Sequence, residues 1–160
     1  MIIGVLKEKN KYENRVAASP DEVKSYVKSG HQVIIEKSAG LPSGFNDASY
    51  KESGASIHSS KEIFNKAQIL IKIQLPNKEE LALVKSNTVL ISQVQTHLNK
   101  DSIDFLNKKK VSIFALERIP RITRAQNMDI LSSQANLAGY HAVIDAAAEF
   151  NRVLPMFMTA

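Results

Sequence analysis

The 160-residue chain contains no cysteine and no tryptophan, and aromatic residues make up only 6% of it. Without cysteine there is no disulfide framework, no thiolate metal site and no cysteine nucleophile, and a reducing compartment fits the chain. No window reaches about 18 consecutive apolar residues, so no segment reads as a membrane span. The opening MIIGVLKEKN has an apolar run of five and early lysines, unlike a secretory leader. Charge of one sign does not dominate: 21 basic against 16 acidic side chains leave +5. The one tight basic run is NKKK, Asn107 to Lys110, and no aromatic residues interleave with it as a nucleic-acid stacking surface requires. There is no GxSxG and no GxGxxG. His31, His58, His97 and His141 share no ligand spacing, so no metal site is expected.

What is present is alternation. Short apolar runs (Ile2–Leu6, Gln32–Glu36, Gln68–Leu75, Thr88–Gln95, Val111–Glu117) are separated by helical segments with local caps. Ser19 before Pro20, Asp21 and Glu22 reads as a helix start, as does Ser59 or Ser60 before KEIF. Strands apolar on both faces, alternating with helices, predict a parallel α/β sheet of about five strands in a flavodoxin-like arrangement, with helices on both sides. A longer helix follows, roughly Met128 to Phe150. Its small residues Ser132, Ala135, Gly139, Ala142 and Ala146 fall on one face, where they pack on the domain's own sheet or join it to another domain or subunit. The expected organisation is an α/β domain over residues 1–127, then the long helix and the start of a connection over 128–160.

Ligands of parallel sheets bind at the carboxyl edge. Arg15, between the first strand and first helix, falls there, and so do Arg118, Arg121 and Arg124 past the last strand. Arg15 and Arg121 are therefore expected to share one cleft. GLPSG at Gly40 to Gly44 lacks the third glycine of a dinucleotide turn and reads as an ordinary turn. Gln126, Asp129, Ser132 and Ser133 follow Arg124 at helix-start spacing. They serve either as caps or as a cluster of amide, carboxylate and hydroxyl groups for one polar ligand such as a carboxamide. None is a nucleophile or a base with a near-neutral pKa, so chemistry here would be carried by a cofactor.

GVLKEKNKYENRVAASPDEVKSYVKSGHQVIIEKSAGLPSGFND resembles the amino-terminal segment shared by alanine dehydrogenases and the proton-translocating NAD(P) transhydrogenase alpha subunit, with Leu6 in place of a usual Pro and Ser38 in place of a usual Gly. The resemblance covers essentially the whole chain. In the alanine dehydrogenase branch it implies an arginine, a lysine and a histidine that hold a keto acid. Arg15 matches the arginine, but the other two positions fall on Gln74 and Gln95, with His97 two places late. Neutral amides supply neither the lysine's charge nor the histidine's proton.

RITRAQNMDILSSQANLAGY, from Arg121 to Tyr140, resembles instead the loop of the transhydrogenase branch. That resemblance implies that Arg121, Gln126, Asp129 and Ser132 contact the nicotinamide end of bound NAD(H), with Gln126 and Asp129 catalytic in the sense of orienting the ring. Hydride would pass to NADP(H) on a partner subunit, coupled to proton translocation, in a dimeric, cytoplasmic component held at the membrane by membrane-embedded subunits. The alternatives are half of an alanine dehydrogenase-like enzyme, or a non-catalytic interaction module. The family's glycine-fingerprint Rossmann domain is expected just beyond PMFMTA, so the 160 residues alone are expected to be inactive and to bind NAD(H) weakly.

Overall fold

The structure, a computed structural model, describes residues 1–152. It divides into two compact units, Met1–Arg118 and a second beginning at Ile119. In the first, strands β1 (Ile2–Val5), β2 (Gln32–Glu36), β3 (Ser56–His58), β4 (Ile69–Gln74), β5 (Val89–Gln93) and β6 (Ser112–Ala115) alternate with helices α1 (Pro20–Lys28), α2 (Asp47–Glu52), α3 (Ser60–Lys66), α4 (Lys78–Leu83) and α5 (Lys100–Lys108). All pairings are parallel, in the order β3-β2-β1-β4-β5-β6. The five strands legible in the sequence stand in the flavodoxin order. The sixth, β3, extends the β2 edge by three residues with one apolar side chain, Ile57, between two polar ones. That is too little pattern to predict.

Strand alternation divides the core. Leu6, Ile34, Leu70 and Leu90 meet Ile63, Phe64, Leu81 and Leu106 of α3, α4 and α5 on one face. Val5, Val33, Ile35 and Ile71 meet Val23 of α1 and Tyr50 of α2 on the other. Gly4 permits the close approach of α3: a Cβ there would lie 2.6 Å from Ile63 Cγ2 and 2.8 Å from Ala67 Cβ. Tyr50 is fully buried and donates its hydroxyl to the carbonyl of Ala18 at 2.9 Å.

The helix starts follow local chemistry. Ser19 and Glu22, and Ser59 and Glu62, form reciprocal capping boxes, and Asn77 does the same with Glu80. The start expected at Asp101 or Ser102 falls slightly earlier, at Lys100, after Asn99. Ser38, where the family pattern favours glycine, has φ of 59°. Glycine takes that conformation freely, and for a serine it costs about 1 kcal/mol. The Ser38 N–H donates to Asp47 Oδ1 at 2.9 Å.

The carboxyl edge is organised by a bulge. Ile71 pairs with Ile91 but Gln74 with Gln93, so β4 takes one more residue than β5 over the same step. The N–H groups freed by the irregularity are not lost. Glu8, just past β1, accepts from Ile73 N at 2.6 Å and from Gln74 N at 3.4 Å. Lys72, 3% exposed, lies 3.9 Å from Glu8 Oε2 and 2.8 Å from Glu80 Oε2. Burial pushes the Glu8 carboxyl up from its usual range, opposed by Lys72 and the two backbone donors.

The second unit carries a 3-10 segment, Thr123–Met128, and α6 (Ile130–Glu149), with Asp129 as N-cap. No residue of α6 is buried, and apolar side chains such as Leu131, Leu137, Tyr140, Val143 and Ile144 are exposed around it. The small-residue face therefore does not rest on a sheet. No described helix is long and apolar enough to cross a membrane. The connection expected in PMFMTA lies outside the described residues.

Lys72→Met should destabilise the chain by about 3–5 kcal/mol, because it leaves two carboxylates buried without their cation. Urea denaturation at neutral pH measures this, and an unchanged midpoint would mean that the network is dispensable.

Candidate functional site

Two sets of side chains carry the expected chemistry. The first lies at the carboxyl edge of the sheet. Glu13 is nearly buried and receives Arg15 through both carboxylate oxygens, each at 2.7 Å, with the Arg15 side chain 45% exposed. The Arg15 hydrogen bonds hold the Glu13 carboxyl below its usual range, against the opposing effect of burial. Gln74 Nε2 also donates to Glu13, at 3.3 Å, while Gln74 Oε1 accepts from Asn10 at 3.2 Å. The bulge thus turns Gln74 toward the loop after β1, opposite Gln93.

Gln95 follows β5 with φ of 50°, a conformation few non-glycine residues adopt. Its turn is gripped from β6. Glu117 accepts from Val94 N at 3.0 Å and Thr96 N at 3.3 Å, and Arg118 donates to Thr96 Oγ1 through two nitrogens at 3.0 and 2.8 Å. Burial raises the Glu117 pKa, but backbone donors from residues 94–96 and from Glu117 itself outweigh it, and the carboxyl sits below its usual range. Sequence reasoning passed over Glu117 as the last residue of a strand. Its position beside the β5 loop, one strand over in a parallel sheet, was the available signal. Around these residues is a cleft of about 500 Å³ lined by Asn10, Gln74, Gln93, Gln95 and Asn99, among others.

The second set belongs to the second unit. Asp129 Oδ1 accepts from Leu131 N at 3.0 Å and Ser132 N at 3.1 Å, while Oδ2 accepts the Ser132 hydroxyl at 2.6 Å. These bonds, the Ser132 hydroxyl first, hold the Asp129 carboxyl below its usual range. Arg121 Nε lies 3.9 Å from Asp129 Oδ2, with its side chain 70% exposed. Arg121, Asp129 and Ser132 are therefore brought together, and Asp129 and Ser132 form the helix start that their spacing allowed. Gln126 lies on the preceding 3-10 segment, exposed, and its carboxamide has no hydrogen bond among the described residues.

Residues 4–138 match the family described as Alanine dehydrogenase/PNT, N-terminal domain. The chain belongs to that family. Within it, the first of the polypeptides that make up NAD(P) transhydrogenase subunit alpha in Rhodospirillum rubrum is 43% identical over 166 residues, covering all of this chain and 43% of that protein. The crystal structure of transhydrogenase from Sinorhizobium meliloti is similar with a TM-score of 0.92 and 41% identity, over 100% of this chain and 48% of that one. An L-alanine dehydrogenase structure gives 0.71 and 30% identity over 74% of this chain and 33% of that one. The chain thus spans less than half the length of these relatives.

Glu117→Gln should cost about 1 kcal/mol, because an amide keeps only one acceptor oxygen for the N–H groups of Val94 and Thr96. The sign with pH follows from the lowered pKa. Glu117 contributes stability above the ordinary carboxylate value of 4.5, and that stability is lost as pH falls through the lower folded value. Denaturation midpoints of Glu117→Gln should therefore depend less on pH below about 4.5 than those of the parent. Parallel pH profiles would remove Glu117 from this role.

Proposed function

We propose that this chain is the N-terminal part of the NAD(H)-binding component of a proton-translocating NAD(P) transhydrogenase, and that Arg121, Gln126, Asp129 and Ser132 surround the nicotinamide end of NAD(H). The observation that carries this is the open carboxamide of Gln126 beside the Asp129-capped helix start, within a segment that resembles the transhydrogenase loop from Arg121 to Tyr140. A primary amide offers two donors and one acceptor, the complement of a ring carboxamide. Arg121 adds exposed donors, and Asp129 and Ser132 fix the helix start from which they work. NAD(H), when bound, supplies the hydride chemistry. The protein's residues orient the ring, and orientation is where most of the rate advantage of such a transfer arises. Gln126 and Asp129 are the proposed catalytic residues in this sense.

The partners in this reading are the NADP(H)-binding and membrane-embedded subunits and a second copy of the component, on the cytoplasmic face of a membrane. Residues 1–127 serve as the α/β domain and 128–160 as the link to a nucleotide-binding domain. The test is a chimera in which this chain replaces the corresponding segment of the Rhodospirillum rubrum subunit. The parent chimera should transfer hydride between NADH and an NADP analogue. Gln126→Asn, which keeps the amide but shortens its reach, should slow transfer about ten- to a hundredfold, the rate equivalent of roughly 1.5–3 kcal/mol of lost positioning. The dissociation constant for NADH should change only a few-fold. Parent-like transfer by both Gln126→Asn and Asp129→Asn would leave these residues as helix-start scaffold.

The alanine dehydrogenase-like alternative is disfavoured because Gln74 and Gln95 stand where a lysine and a histidine are needed. The same chimera should show no NAD-dependent oxidation of alanine, and measurable turnover would reverse the choice of branch.

A further inference from the structure

The cleft at the carboxyl edge of β4 and β5 has an unusual lining. Six of its eleven lining residues carry primary carboxamides: Asn10, Gln74, Asn77, Gln93, Gln95 and Asn99. No carboxylate lines it. Among the described lining residues, Lys78 is the single charge, and it is exposed, where water screens it. An anion receptor needs fixed, partly desolvated cations, and the cation nearest in the fold, Arg15, is already held at both oxygens of Glu13. Behind Gln74 stands that same Glu13 carboxylate, which repels a second negative charge.

The amides are arranged, not scattered. Asn10 donates to Gln74 and Gln74 to Glu13, which fixes the outward edge of Gln74. Asn99 Nδ2 donates to Val94 O at 2.8 Å, while Asn77 Oδ1 accepts from Glu80 N at 2.9 Å. Gln93 and Gln95 are left over. Neither carboxamide has a hydrogen bond among the described residues, although Gln95 sits on a turn held in the left-handed region by Glu117. Leu75 and Pro76 give the same cleft an apolar wall. Free, neutral donor–acceptor pairs beside an apolar wall complement a neutral group that is itself a donor–acceptor pair on a flat body.

We propose that this cleft is a receptor for a neutral primary carboxamide carried on a planar ring, and that it rejects the isosteric carboxylate. The proposal does not rest on the transhydrogenase reading, which concerns the loop of the second unit, so either can fail alone. A carboxylate would present acceptors to Gln Oε1 atoms and lose the donor half of each pair. Sites built around such pairs discriminate strongly, and an open cleft retains at least about a tenfold part of that.

The test uses the 160-residue chain, labelled with ¹⁵N and titrated with nicotinamide and, separately, with nicotinate. The side-chain NH₂ resonances of Gln93 and Gln95 should move saturably with nicotinamide, and nicotinate should bind at least about tenfold more weakly. Gln74→Lys, which adds a cation to the lining, should reverse that preference, and unchanged β-sheet amide resonances will show that the variant is folded. Equal or tighter binding of nicotinate by the parent chain would overturn the proposal. So would the absence of any shift with nicotinamide at millimolar concentration, or an unaltered preference in folded Gln74→Lys.

Discussion

One buried ammonium holds the working edge of the sheet together. Lys72 Nζ sits between Glu8, at the end of β1, and Glu80, in the first turn of α4. Glu8 in turn takes the N–H groups that the β4 bulge sets free. Two carboxylates and a cation out of water are costly unless every member is paired. The geometry meets that condition for Lys72 and Glu8, while Glu80 Oε1 is buried without a partner. What the arrangement specifies is register. It fixes where β1 ends, where β4 gains a residue, and where α4 starts, and so it decides that Gln74 faces the cleft rather than the core.

Downstream of this the edge has two further layers of support. Asn77, which caps α4, donates its own N–H back to Glu80 and keeps the acid of the triad in place. Across the cleft, Glu117 and Arg118 hold the turn of Val94 to Thr96 from the neighbouring strand. The lining residues thus stand on backbone that is pinned from both sides, with the carboxamides of Gln93 and Gln95 left open. The loop of the second unit follows the opposite plan. Asp129 and Ser132 commit their hydrogen bonds to the start of α6, and only Gln126 and Arg121 keep groups turned to solvent.

Legibility in the sequence followed the range of the interactions. Ser19, Ser59 and the Asp129–Ser132 pair were readable because a cap and its partner lie three residues apart. The five longer strands were readable because both faces are apolar. β3 was not, since Ile57 alone carries its pattern. The Glu8–Lys72–Glu80 network was invisible, because a lysine in an apolar strand gives no hint of a carboxylate at the far end of another strand. Glu117 was missed for the same reason, as its partners lie on another strand. Gln74 and Gln95 were singled out as departures from a keto-acid site, but the spacing could not reveal that four more amides line the same cleft. The small-residue face of α6 was correctly placed on one side of a helix, yet periodicity alone could not say that this helix buries nothing here.

The ends of the sheet set how copies of this protein behave before they finish folding. A parallel sheet forms late, because its pairings join distant segments, and its open edges are templates for the wrong chain. Here one edge is β3, three residues long and flanked by Ser56 and His58, and the other is β6, four residues long with Ser112 leading it. Each offers barely one repeat of backbone donors and acceptors to an intruding strand, less than a stable register requires. The sheet therefore carries its own stop at both ends, and crowding during synthesis has little edge to propagate along.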